Sequence, residues 1–199
     1  MTVVVALKDE RNQRIIIGAD NQGTSGQISL KYGSKIFYLN IPIVDGYGEV
    51  EQFEKMYVAV SGNYWIINYL KYGFDIPPMD KNESFLYYLY NQFFLSLGDC
   101  LSESRLVAFN SGVLDSGVGM ICVFRDKIYH IYDDFSILES VENYEVDGSG
   151  YEVALGSLYT NINFHKGMDY VKIVKQAVLS CAGLSIYCDD EVDLRIVKY

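Results

Sequence analysis

Four residues near the start of the sequence carry groups that hydrolytic enzymes use in catalysis; they are Thr2, Asp20, Lys35 and Gly62. A threonine hydroxyl is a useful nucleophile only when a base takes its proton. A buried lysine needs a partner, and a glycine permits the close approach that an oxyanion donor requires. Each residue alone also has an ordinary explanation: a residue after Met, a turn residue, a solvated strand edge and a glycine before a helix. The hypothesis of a hydrolytic site therefore depends on how the chain arranges these residues.

The cysteines and histidines do not have the spacing of a metal or redox site. The four cysteines form no CxxC pair; they are Cys100, Cys122, Cys181 and Cys188. The two histidines, His130 and His165, do not lie at ligand spacing. The run GTSG at 23–26 lacks the lysine and the strand–helix context of a phosphate loop. We therefore expect reduced core thiols in a cytoplasmic protein, with no metal and no other cofactor.

Apolar and β-branched runs predict the strands, and apolar residues at helical spacing predict the helices. The predicted strands are 2–7, 15–19, 35–39, 56–61, 118–124, 127–132, 184–187 and 192–197. The predicted helices are 63–72, 84–97, 150–160 and 168–181, and the second is apolar almost all round. We expect 21–26 to be a loop and 40–55 to be an acidic insertion.

The order of these elements predicts the fold. Strands and helices come in separate runs, which favours stacked layers over alternating βαβ units. Runs as apolar as TVVVAL and RIIIGA suit strands that are buried on both faces. We therefore predict an α+β fold with two facing sheets and helices outside them, a four-layer αββα sandwich. A length of 199 residues suits one domain over 1–199.

Short motifs in a shared order resemble the proteasome β-subunits and the bacterial HslV peptidase, which are N-terminal nucleophile (Ntn) hydrolases. The first motif is the TVVV opening, followed by a strand that ends in Gly18-Ala19-Asp20 and by the GTSG run. Further matches are Ser34-Lys35-Ile36, the MYVAVSG run at 56–62 and the glycine–serine–glycine run at 148–150. The AGLSIY tail at 182–187 looks more like HslV than like proteasome subunits. Each motif alone is weak, but together they cover nearly the whole chain.

The resemblance implies a threonine peptidase whose nucleophile is Thr2 once Met1 has been removed. In this class the base is the α-amine of the same threonine, whose ordinary pKa of about 7.7–8.0 leaves a useful fraction neutral. By carry-over, Lys35 lowers the pKa of that amine and Asp20 pairs with the lysine. The Gly62 N–H is then the oxyanion donor, and Ser149 acts near the amine.

The resemblance also implies a substrate pocket and an assembly. The pocket would involve Gly23, Phe37, Val60 and Tyr64, and its aromatic lining would favour apolar side chains. Peptides or unfolded proteins would be the substrates. The apolar helix at 84–97 motivates a homo-oligomeric ring, because a lone domain would leave part of it wet. An ATP-dependent unfoldase partner would be a separate chain.

Some residues depart from the family pattern and keep two alternatives open. Tyr151 stands where the family has a serine after the glycine–serine–glycine run, and the Asp of the proteasome's last helix is absent, as it is in HslV. If Met1 is retained, Thr2 cannot be its own base. The alternatives are a catalytically inactive, ring-forming scaffold and a small-molecule amidase of the same nucleophile class.

The overall negative charge indicates which kinds of binding partner the protein does not have. A net charge of −10 and a pI near 4.6 argue against nucleic acid or an anionic membrane as the main partner. No apolar run reaches the roughly 18 residues that a membrane-spanning helix needs.

Overall fold

The computed structural model describes residues 2–25, 28–31, 33–103, 108–110, 113–165, 167–185 and 188–199. Two facing β-sheets form its centre, and helices cover the outer face of each sheet. The predicted four-layer αββα sandwich is confirmed.

The first sheet contains the strand that follows the candidate nucleophile Thr2. Its strands lie in the order β13-β1-β2-β14, and all neighbours are antiparallel. Their bounds are β1 Val4–Asp9, β2 Arg14–Asp20, β13 Tyr144–Asp147 and β14 Val192–Lys198. A short 3₁₀ turn, Glu10–Asn12, joins β1 to β2. Both faces of β1 are buried, as its unbroken apolar run predicts.

The second sheet lies in the order β12-β11-β10-β6-β5-β7. Its strands are β5 Ile36–Val44, β6 Val50–Gly62, β7 Met79–Asp80, β10 Val118–Phe124, β11 Lys127–Ile131 and β12 Ile137–Glu139. Two small hairpins stand apart: β3 Gln22–Ser25 with β4 Ile28–Lys31, and β8 Ala108–Asn110 with β9 Val113–Asp115.

The helices pack in two separate groups. The second sheet carries α1 Tyr64–Tyr72, α2 Phe85–Tyr88 and α3 Phe94–Glu103, with a π-helical turn at Leu89–Phe93 between the last two. The first sheet carries α4 Tyr151–Phe164 and α5 Tyr170–Leu184. A third core cluster lies between the sheets and includes Val4, Ile17, Ala59 and Ile121.

The segment 40–55 is not an inserted loop. It forms the outer part of a long β5–β6 hairpin, whose strands pair from Ile36 with Ala59 to Val44 with Val50. Pro42 suggested a loop, but it is tolerated here because β7 pairs with β5 only at Ile43 and Val44. The acidic residues of this segment therefore lie on a projecting hairpin.

Two other expectations need correction. The loop predicted at 21–26 contains strand β3, and Gly26 lies outside the described residues. Leu184 ends α5 and does not begin a strand, while residues 186 and 187 lie outside the described part of the chain.

The segment 84–97 is helical, as predicted. Tyr87, Tyr90 and Leu95 are exposed by 56%, 62% and 58%, as expected when a helix that is apolar almost all round belongs to a lone domain. Those apolar surfaces belong to one side of the helical layer that faces solvent in the single chain.

Candidate active site

Thr2 lies two residues before β1, beside the end of β2. Because the two strands are antiparallel and pair Val4 with Ala19, Asp20 comes next to residues 2 and 3. Thr2 is only 4% exposed, and its hydroxyl donates a 3.1 Å hydrogen bond to Asp20 Oδ1. The Val3 N–H donates to the same oxygen at 2.9 Å. The hairpin thus fixes the carboxylate against the threonine side chain.

Lys35 brings a cation to the same carboxylate. Its Nζ donates a 2.8 Å hydrogen bond to Asp20 Oδ1, and both side chains are buried. The second oxygen, Asp20 Oδ2, accepts from the Gln22 N–H at 3.1 Å. The hydroxyl of Thr2 and the ammonium of Lys35 are therefore neighbours that share one acceptor.

Burial has an electrostatic consequence for Lys35. It lowers the pKa of the Lys35 ammonium below its ordinary value, because the charged form loses water. The Asp20 carboxylate opposes this shift through its charge and its hydrogen bond. A buried cation held by one carboxylate is suited to tuning the protonation of a neighbouring amine or hydroxyl.

The backbone of Thr2 is held by the loop between β13 and α4. The Thr2 N–H donates to Ser149 Oγ at 3.2 Å, and the Thr2 carbonyl accepts from the Gly150 N–H at 3.3 Å. Gly148 has a φ of 96°, and a Cβ there would lie 2.3 Å from Thr2 O. Only glycine fits at residue 148, because the loop must approach the threonine backbone so closely. Ser149 is thus next to the nitrogen that removal of Met1 would turn into the α-amine.

Gly62 ends β6 in a conformation that other residues rarely adopt. Its φ is 98°, and a Cβ would meet Gly117 O at 2.2 Å. Gly62 itself is exposed, whereas Ser61 before it is buried. An exposed glycine at a strand end has the conformational freedom that an oxyanion donor needs.

The residues predicted to form the substrate pocket lie on β3, β5, β6 and α1. Gly23 pairs with Leu30 in the β3–β4 hairpin. Val60 is buried, and its N–H donates to Lys35 O at 3.2 Å. Phe37 and Tyr64 are half-buried and pack against the core cluster that contains Val60. The Tyr64 hydroxyl donates to Gly33 O. Val60 is thus next to the Lys35 backbone, and the two aromatic rings share its cluster.

Two thiols lie close to the site and were not expected there. Cys181 Sγ donates to Gly150 O at 3.1 Å, and the pKa of Cys188 is raised by its hydrogen bond with Cys181 and by burial. The charges of Cys188 and Lys35 also influence each other's pKa. The sequence held no signal for this pairing, because residues 181 and 188 have no motif spacing that would indicate a contact.

A partly buried polar cluster next to the site was also missed. Asp147 ends β13, directly before Gly148, and contacts Ser61 and His130. Its position before the glycine–serine–glycine run was a usable signal. The His130 partnership was not visible, because β13 is too short and polar to be predicted as a strand.

Within the described ranges, no group of three or more His, Cys, Asp or Glu side chains could hold a metal ion. No helix in the same part of the chain has both the length and the apolar character to cross a membrane.

Comparison with known proteins gives matches at the level of structure alone. No protein-family model and no curated protein matches the sequence. The protein BPH of Thiobacillus denitrificans matches with a TM-score of 0.75 and 19% identity, over 100% of this chain and 98% of that one. HslV from Trypanosoma brucei matches with a TM-score of 0.65 and 14% identity, over 100% of both chains. The chain has the proteasome-like Ntn-hydrolase fold.

A third structure extends this result. Anbu, an ancestral β-subunit from Yersinia bercovieri, matches with a TM-score of 0.67 and 12% identity, over 99% of this chain and 82% of that chain. At such identities the likeness establishes the proteasome-like fold, so the chemistry must be argued from the residues of this chain.

Proposed function

We propose that this protein is a threonine-type endopeptidase that uses Thr2 as its nucleophile after Met1 has been removed. One observation carries the proposal: the Thr2 hydroxyl and the Lys35 ammonium both donate to Asp20 Oδ1 in a buried site. A structural threonine needs no buried ion pair, which is costly to desolvate and is therefore weak evidence for stability alone. A nucleophile whose base must have a shifted pKa does need a charged group such as this ion pair beside it.

The chemistry begins at two atoms of one residue. Without Met1, Thr2 N is a primary amine, and the neighbouring cation of Lys35 keeps its pKa low enough for the neutral form to be populated. The neutral amine takes the proton from Thr2 Oγ1 as the oxygen attacks the peptide carbonyl. The carbon–nitrogen bond of the peptide then breaks, and the ammonium returns its proton to the leaving amine. Water hydrolyses the resulting ester and regenerates the threonine.

Two other groups complete the proposed mechanism. The Gly62 N–H donates to the oxyanion that forms on the attacked carbonyl oxygen, where a fixed dipole is most effective. Ser149 Oγ, 3.2 Å from Thr2 N, holds the amine in its orientation. We propose that Gly23, Phe37, Val60 and Tyr64 contact the substrate side chain before the cleaved bond.

The substrates are peptides or unfolded proteins, and the enzyme works as a homo-oligomeric ring. The exposed Tyr87, Tyr90 and Leu95 support assembly, since monomeric proteins rarely leave such clustered apolar surface in water. The likeness to HslV in fold supports the same arrangement. A ring that encloses its sites needs a separate ATP-dependent unfoldase to supply folded substrates. Light scattering after size-exclusion chromatography tests the assembly, and a monomer would contradict it.

A fluorogenic peptide assay on protein with a free Thr2 amine tests the activity. We expect turnover by the wild type and none by Thr2→Ala, while Thr160→Ala, which changes an exposed threonine on α4, keeps wild-type activity. Epoxomicin, which is bound in a BPH structure with a TM-score of 0.73, should inhibit the wild type. Equal turnover by the wild type and Thr2→Ala would contradict the proposal.

A ring-forming scaffold without activity is the second candidate, and Tyr151 favours it, because it stands where the family that the sequence resembles has a serine. If Met1 is retained in the living protein, Thr2 N is a peptide nitrogen and cannot act as a base. Intact-mass spectrometry of the protein from its native source separates the two functions. A mass that lacks Met1 supports the peptidase, and a mass that retains it supports the scaffold.

A further inference from the structure

A second charge cluster, partly buried, lies next to the Gly148–Gly150 run of the candidate site and is centred on Asp147. Ser61 Oγ donates a 2.5 Å hydrogen bond to Asp147 Oδ2, and His130 Nε2 lies 3.4 Å from Asp147 Oδ1. The space for this carboxylate depends on a glycine, because a Cβ at Gly119 would lie 2.1 Å from Asp147 Oδ2. The carboxylate is therefore seated between two strands of the second sheet and cannot shift toward β10.

His130 keeps a positive charge next to that carboxylate. Its ring lies between Asp147 and Glu145, with Nδ1 3.4 Å from Glu145 Oε2. Burial disfavours the charged ring, but the two carboxylates, each 3.4 Å from a ring nitrogen, outweigh it and raise the pKa of His130 to about 9. Tyr132 stacks on the imidazole at 4.3 Å between ring centroids, which also favours a cation. His130 is thus an imidazolium at neutral pH.

The remaining groups around His130 lie on the wall of one cavity. This cavity has a volume of about 560 Å³ and opens between β11, β13 and α4. Its polar lining includes Glu142, Tyr144 and Tyr151 besides His130 and its two carboxylates. Protons therefore reach the cluster from solvent without passing the candidate active site.

The cluster joins the two backbone segments that the proposed chemistry needs in register. Ser61 directly precedes Gly62, the proposed oxyanion donor, and Asp147 directly precedes Gly148 and Ser149, which hold the Thr2 backbone. These segments belong to different sheets, β6 in the second and β13 in the first. The Ser61–Asp147 hydrogen bond spans the gap between them.

We propose that Asp147 is a positioning residue whose carboxylate, in contact with Ser61 and His130, ties the strand of Gly62 to the loop of Ser149. The tie keeps the oxyanion donor at a fixed distance from the threonine. A misplacement of about 1 Å costs on the order of 10²-fold in rate, so loss of the tie lowers turnover more than substrate binding. The effect on rate rests on the proposed peptidase function, whereas the tie itself does not.

Nuclear magnetic resonance tests the tie without any activity. The protein has two histidines, so substitution of His165 assigns the remaining imidazole signal to His130. In the wild type we expect the His130 midpoint near 9, with the Gly62 and Ser149 amide signals moving at the same pH. In Asp147→Asn the midpoint of the His130 titration falls by about one pH unit or more. The Gly62 and Ser149 amide signals then no longer shift with the His130 titration. His165→Gln, which changes an exposed histidine, leaves the coupling intact. Unchanged amide titrations in Asp147→Asn would overturn the proposal.

Peptide hydrolysis by Met1-free protein tests the consequence. Asp147→Asn should lower kcat about 10²-fold with KM changed less than about threefold. Ser61→Ala removes the hydrogen bond that spans the gap and keeps the ion pair, so it should lower kcat to a similar extent. Wild-type kcat should fall as the pH rises towards 9 and His130 loses its proton, and His130→Gln should lack that fall. Equal effects on kcat and KM, or an unaltered pH profile in His130→Gln, would contradict a positioning role. If wild-type protein itself cleaves no peptide, the peptidase proposal fails, and the amide titrations still decide whether the tie exists.

Discussion

Lys35 Nζ and Asp20 Oδ1 lie 2.8 Å apart, and the two side chains are exposed by only 3% and 0%. Four donors converge on this one carboxylate: the ammonium, the Thr2 hydroxyl and the N–H groups of Val3 and Gln22. The carboxylate is thus fully hydrogen-bonded, whereas the ammonium depends on it for its charge partner. Because of this asymmetry, we expect substitution of Asp20 and substitution of Lys35 to change the free energy of unfolding by different amounts.

Removal of the carboxylate charge should therefore destabilise the protein more than removal of the ammonium. We expect Asp20→Asn to lower the free energy of unfolding by about 3–5 kcal/mol, because a buried cation is left without its partner. Lys35→Met should cost less, since the other donors still satisfy Asp20. Denaturant unfolding measures both. The exposed pair of Lys81 and Glu51 is the control, and Glu51→Gln should leave stability nearly unchanged. A larger loss for Lys35→Met than for Asp20→Asn would contradict the assignment.

The sequence predicts the layers well because burial on both faces leaves a clear pattern. The run at 2–7 has no polar residue after Thr2, and the β10–β11 hairpin follows its apolar runs closely. The β5–β6 hairpin was missed in part, since a proline and two glycines outweighed the alternation of Leu39, Ile41 and Ile43. Local turn signals there compete with a register that only the neighbouring strand fixes.

The candidate site is predictable only where local sequence carries the chemistry. Thr2, Asp20 and Lys35 stand at the ends of apolar runs, so their motif order indicates them. Asp147 and His130 meet through β13, whose pairing with β1 is a long-range contact that no short pattern reports. Tertiary packing therefore decides the half of the site that the sequence does not reveal.

Two glycine-to-alanine substitutions distinguish a steric clash with the Thr2 backbone from a change in helix propensity. Gly148→Ala places a Cβ against Thr2 O in a left-handed conformation, so we expect a loss of about 1–3 kcal/mol in stability and most of the peptidase activity. Gly156→Ala is the matched control, because that glycine lies inside α4 with no atom within 4 Å of the added Cβ. It should stabilise the protein by about 0.5–1 kcal/mol and keep full activity. Thermal unfolding and the peptide assay measure both variants. Equal stability and equal activity of the two variants would show that the loop can move to accommodate a Cβ at residue 148.

The hydrogen bond between Thr2 N and Ser149 Oγ should matter for turnover. Ser149→Ala leaves the amine without this partner, and one lost hydrogen bond of roughly 1 kcal/mol corresponds to a five- to tenfold drop in kcat. Ser180→Ala removes a comparable hydroxyl, which donates to Gln176 O at 2.8 Å within α5. The control should keep its kcat. Initial-rate kinetics on Met1-free protein compare the two variants, and an unchanged kcat in Ser149→Ala would remove that residue from the site.

His130 should make stability depend on pH in a defined window. Its pKa is about 9 in the folded chain, against about 6.5 for an unperturbed histidine, so the folded state binds the proton more tightly. The stabilisation is fully present below pH 6.5 and is lost as the pH rises towards 9, with a total of up to about 3 kcal/mol. Chemical unfolding at several pH values should therefore give a wild-type curve that falls across this window and a flatter curve for His130→Gln. His165→Gln changes the other histidine, which is exposed, and should follow the wild type. A wild-type curve parallel to that of His130→Gln would mean that Asp147 and Glu145 do not hold a charged ring.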